Sequence, residues 1–109
     1  MAGTHEDAIL MVELAKWATM LGLYEGPGIF ADDFDPETAD ASDAAVRNVL
    51  LFNETMGTLV KNGLLNRELV LDWIHIPAVW ARVKPAALKV REESGEPRMF
   101  ENFEALAAE

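Results

Sequence analysis

A chain of 109 residues, half of them hydrophobic, is sized for one domain around one core. Its formal net charge of -10 repels phosphate backbones, so direct nucleic-acid binding is not expected. Cysteine is absent, which excludes disulfides, thiolate metal sites and a cysteine nucleophile.

The opening MAGTHEDAIL carries Glu6 and Asp7 where an export signal would be positive, so we expect a cytoplasmic protein. Thr4 and Asp7 have the spacing of a capping box and predict a helix over about residues 4–23. Ile9, Leu10, Met11, Val12, Leu14, Trp17, Met20, Leu21 and Leu23 nearly encircle it, leaving a narrow wet strip at Glu13, Lys16 and Thr19. Such a helix is buried on more than one side, either as a central core helix or as a dimer interface formed by Trp17, Met20 and Leu21. It is too short and too charged to span a bilayer, and no membrane association is expected.

Residues 24–42 form an acidic connector. Gly26, Pro27 and Gly28 stop the first helix, Pro36 keeps the chain extended, and Ile29, Phe30 and Phe34 can pin the segment to the body. A calcium loop starting at Asp33 fails, because Thr38 falls where glycine is needed and Ala44 where a bidentate Glu is needed. The reading is a partly mobile connector. Ten of the 19 acids and only one base, Lys16, lie in residues 1–43, whereas the rest of the chain is nearly neutral.

Ser42 is placed to cap a helix over about 43–62, closed by Gly63. Val46, Val49, Leu50, Met56, Gly57 and Val60 share its face, with Asn53 inside that face and Glu54 at its edge. Asn66 opens a short helix, about 67–75, that stops before Pro77. Pro77 begins a helix to about Ser94, striped by Val79, Trp80, Val83, Ala87 and Val90 and kinked at Pro85. A last helix, about 97–108, buries Met99, Phe100, Phe103 and Leu106. The class is all-α: one domain, residues 1–109, built as a bundle of about five helices.

Several residues carry a resemblance: Phe52, Glu54 and Gly57 in LFNETMG, Gly63, the turn NRELV, Trp80 in VWARVKP, Arg91 in KVREE, and Phe103, Glu104 and Leu106 in NFEALA. Over about residues 49–106 the chain resembles an uncharacterised bacterial all-helical family known only as a domain of unknown function. The resemblance implies a fold and no chemistry. Some members of that family place a membrane helix before the domain, and the first helix here departs from that pattern at Glu13 and Lys16. A recurring Glu, Trp and Arg implies a structural network of Glu54, Trp80, Arg91 and Glu104, in which Arg91 pairs with Glu54 or Glu104 at the core rim.

Catalytic chemistry has little to work with. Ser42 and Ser94 fall at helix ends, His5 lies near the terminus, and Asp72 three residues before His75 is a spacing that chance supplies freely. Two distant histidines give no metal signature, and no phosphate or dinucleotide loop is present. We therefore expect no enzyme, no metal and no cofactor. The expected function is a protein-interaction or structural module that self-associates as a homodimer, with Trp17, Trp73 and Trp80 as anchors and a further protein partner of unknown identity. In one form of the dimer, the acidic connector of one protomer rests on Arg82, Lys89 or Arg98 of its neighbour. The alternatives are an acidic nucleic-acid mimic that inhibits a DNA- or RNA-binding protein, and a domain holding a small apolar ligand beneath the Pro85 kink.

Overall fold

The computed structural model describes residues 3–108, and within them it is all-helical. The elements run α1 (His5–Met20), a 3-10 turn (Gly28–Phe30), α2 (Ala44–Lys61), α3 (Arg67–Trp73), α4 (Ile76–Ser94) and α5 (Glu101–Ala107). The first three helices begin where a side chain can accept a hydrogen bond from a free backbone N–H. Thr4 and Asp7 close the capping box of α1, Asp43 accepts from the N–H of Ala45 at 2.8 Å, and Asn66 accepts from that of Leu69 at 3.0 Å.

Four helix ends differ from the sequence expectation by more than one residue or in the side chain that caps them. The cap of α2 is Asp43 rather than Ser42, because an ionised carboxylate suits the positive end of a helix better than a hydroxyl does. Ser42 instead donates its hydroxyl and its N–H to Asp40, which holds the Asp40 carboxyl below the ordinary aspartate value. α1 ends at Met20, because Gly22 turns left-handed (φ 76°) and lets the Leu23 N–H bond back to the Ala18 carbonyl at 3.0 Å. α3 stops at Trp73 because Ile74 is extended. α5 begins at Glu101 rather than near Pro97, because the chain makes a turn there and Phe100 takes the left-handed conformation (φ 62°).

The close backbone crossings join α2 with α5, α4 with α5 and α2 with α4, and these three helices form the body. On these helices Val46, Leu50, Phe52, Met56, Val83, Ala87 and Phe103 are fully or almost fully buried. Among the described residues, α1 makes no comparably close crossing and reaches the body through side chains. Leu14 and Ala18 are buried, and the Trp17 ring lies 5.3 Å from that of Phe52. Two hydrogen bonds tie its ends: Asn48 Nδ2 donates to the Leu21 carbonyl at 3.1 Å, and the Asn66 N–H to Asp7 Oδ1 at 2.9 Å. The Asp7 carboxyl is held below its ordinary value, chiefly by the Thr4 backbone N–H, with help from the Thr4 hydroxyl and the Asn66 N–H.

The connector runs along α4 and is held there. Arg82 donates to the carbonyls of Ile29 (2.8 Å), Ala31 and Phe34 (both 3.4 Å) and lies over the rings of Phe30 and Phe34. Lys89 donates to the carbonyls of Glu37 (3.0 Å) and Ala39 (3.2 Å). α4 continues through Pro85, whose ring removes the N–H that the Ala81 carbonyl would accept, and Ala81 is on the exposed side.

Candidate functional site

Two constellations stand out. The first lies where α5 crosses α2. α5 has seven residues and no cap of its own, and in isolation a helix so short does not persist. Glu54 on α2 supplies the missing cap from across the fold. Its Oε1 accepts from the Phe103 N–H at 2.8 Å and its Oε2 from Asn102 Nδ2 at 3.0 Å, while Asn102 also donates to the Thr58 hydroxyl at 3.1 Å. One turn further along α2, Gly57 lets the α5 backbone come close: a Cβ there would stand 2.4 Å from the Asn102 carbonyl oxygen.

Arg91 secures the other flank of α5. It pairs with Glu104 at 2.7 Å, and its Nε donates to the Met99 carbonyl at 2.6 Å, fixing the turn that carries left-handed Phe100. A non-glycine residue in that conformation costs on the order of 1–2 kcal/mol, so the turn needs such an anchor. Trp80 meets Phe103 edge to face, with ring centroids 4.8 Å apart. Trp80, Arg91, Glu104 and Glu54 thus all act on α5; of the two carboxylates open to Arg91 it is Glu104 that pairs with it, and Glu54 caps a backbone end instead. Asn102, Thr58 and the Met99 carbonyl escaped the sequence, since nothing in their spacing marks them.

The cap makes a prediction. Glu54→Ala should cost about 2 kcal/mol, the scale of hydrogen bonds to a charged group, and Glu54→Gln roughly half of that because one oxygen still accepts. Urea unfolding midpoints measure both. Equal stability of Glu54→Ala and wild type would mean that α5 is held without this carboxylate.

The second constellation is a cavity of about 470 Å³ between the end of α1, the 3-10 turn, α2 and the α3–α4 turn. Leu21, Ile29, Val49, Phe52, Trp73 and Val79 give it apolar walls, and exposed Tyr24, Glu25, Phe30 and His75 stand among its lining residues. It lies elsewhere than beneath Pro85, where the sequence reading placed a pocket. Asn53 also lines it and is the one buried polar residue among those described. Its Nδ2 donates to the Val49 carbonyl at 2.9 Å, which fixes the amide orientation, and its Oδ1 accepts from no described residue. A buried acceptor left unsatisfied costs about 1–3 kcal/mol.

The remaining candidates are not brought together. Asp72 and His75 do not share a helix, because α3 ends between them; both are exposed and no hydrogen bond joins them. Among the described residues, no group of three His, Asp or Glu side chains could hold a metal, and no helix is long and apolar enough to cross a membrane. Of the suggested interface residues, Trp17 and Leu21 are half-buried against the body and Met20 is exposed. Arg82 and Lys89 hold their own connector and Arg98 pairs with Glu101 at 2.9 Å, so the bases offered to a neighbour's connector are engaged within their own chain.

A family model described as Domain of unknown function (DUF4760) matches residues 13–109. The chain belongs to that family. The match takes in α2 to α5 and the second half of α1, so the α2–α5 crossing and the cavity both fall inside the DUF4760 domain. No curated protein and no solved structure matches the chain.

Proposed function

We propose that this member of the DUF4760 family is a non-catalytic, cytoplasmic protein-interaction module that self-associates as a homodimer through the outer face of α1. One observation carries the reading: α1 has two apolar faces and the body covers one. Leu10, Leu14, Trp17, Ala18 and Leu21 face inward, whereas Ile9 (65 % exposed), Val12 (57 %) and Met20 (84 %) form a stripe on the other side.

A second copy is the occupant favoured by the chemistry of that stripe. Glu13 and Lys16, exposed and 3.1 Å apart, sit at its middle. In an antiparallel pairing about a twofold axis, Ile9 meets the partner's Met20 while Glu13 meets the partner's Lys16, so the stripe complements itself. Exposed ion pairs contribute little, and the apolar contacts carry the association.

Light scattering at low and high salt tests this. The expected result is twice the chain mass at both, because apolar burial is not screened. Val12→Glu should weaken the dimer roughly thirtyfold or more, on the scale of a 2 kcal/mol interface anchor, with unchanged helicity. A wild-type monomer at the highest attainable concentration would overturn the reading.

A further inference from the structure

The cavity beside α2 is a feature that a dimer through the outer face of α1 leaves unaccounted for. Its walls are apolar, its volume of about 470 Å³ is that of a small-molecule site, and it is lined by Asn53, 4 % exposed, with an acceptor that no described residue meets. Natural proteins rarely leave such an atom orphaned. The neighbouring carbonyl of Val49 already takes the Asn53 amide N–H, so rotating the amide would put two acceptors against each other and relieve nothing.

We propose that this cavity binds a small, neutral, largely apolar molecule bearing one O–H or N–H group, which donates its hydrogen to Asn53 Oδ1. The class follows from what the site lacks as much as from what it holds. Among the lining residues the one carboxylate, Glu25, is exposed, and a cation placed beside Asn53 would lose its hydration without a counter-ion. No arginine or lysine lines the cavity and the chain carries -10, so a carboxylate or phosphate finds neither a partner nor a favourable field. A flat ring with one donor suits walls built from Phe52, Trp73, Leu21 and Ile29, since aromatic side chains pack against ring faces and edges.

The experiment compares matched probes: indole against indene, and phenol against toluene, each pair alike in shape and differing in the donor. Amide chemical shifts of the wild-type protein report both affinity and place. Indole should perturb the amides of Val49, Phe52, Asn53 and Trp73 and bind roughly tenfold tighter than indene, with phenol and toluene ordered likewise. Asn53→Leu keeps the bulk and removes the acceptor. It should melt at or above the wild-type temperature and bind indole and indene alike. Equal wild-type affinity for the members of each pair would overturn the role of Asn53 without reference to any variant. Probes that leave the lining amides unmoved up to their solubility, or that shift residues elsewhere, would overturn the site itself. The oligomeric state does not bear on either outcome, because the cavity lies on the inner side of α1.

Discussion

Gly57→Ala should destabilise the protein by about 3 kcal/mol, although alanine is the better helix former. Two effects compete. In an exposed helix the substitution would stabilise α2 by about 1 kcal/mol. Here the new Cβ would stand 2.4 Å from the Asn102 carbonyl oxygen, 2.5 Å from its carbon and 3.0 Å from its Cβ. None of these is the far end of a flexible side chain, so α5 must move as a body, and moving it lengthens the Glu54 and Arg91 hydrogen bonds together. The steric term wins. Urea unfolding monitored by circular dichroism reads the change, and a midpoint at or above wild type would show that α5 does not rest on this glycine.

Phe52→Ala should cost about 3–5 kcal/mol, the range for emptying a fully packed aromatic site. Phe52 is 2 % exposed and stands between Trp17 of α1, with centroids 5.3 Å apart, and Trp73 of α3, at 6.3 Å and nearly edge-on. It therefore joins two helices to α2 at once, and α1 has few other attachments. Two of the three tryptophans report on it directly, so native-state emission should shift to the red as their surroundings open to water. Phe52→Leu, which retains most of the volume, should recover the greater part of the loss. An unshifted emission spectrum with a small stability change would mean that α1 is anchored by something other than this ring cluster.

The parts of the fold that were legible in the sequence are those decided by neighbours along the chain. The capping box at Thr4 and Asp7, the cap at Asn66 and the apolar face of α2 from Val46 to Val60 each depend on spacing within one helix. What escaped depends on contact across the fold. The start of α5 could not be placed from Pro97 onward, because its cap comes from Glu54, 49 residues earlier. For the same reason the sequence leaves open which of Glu54 and Glu104 meets Arg91: a carboxylate at the edge of a core must be satisfied, but its sequence does not say by what. The connector read as partly mobile because its acids dominate its composition, whereas its position is set by carbonyls facing Arg82 and Lys89. The cavity was invisible, since Asn53 inside an apolar face looks the same whether its second polar atom is met or not.

The hold that Arg82 and Lys89 exert on residues 29–39 reaches main-chain oxygens, which every amino acid possesses. The carboxylates of Asp32, Asp33 and Glu37 make no hydrogen bond or ion pair with a described residue, and all three are exposed. At these three positions route and charge are therefore separate properties, whereas the Asp35 carboxylate accepts the Glu37 N–H and shapes the turn. Drift in a lineage, or deliberate recoding to Asn and Gln, can strip negative charge from the surface without redirecting the chain. An electrically quieter form of the protein is reachable with its architecture untouched, and comparing the two would isolate what the acidity itself is for.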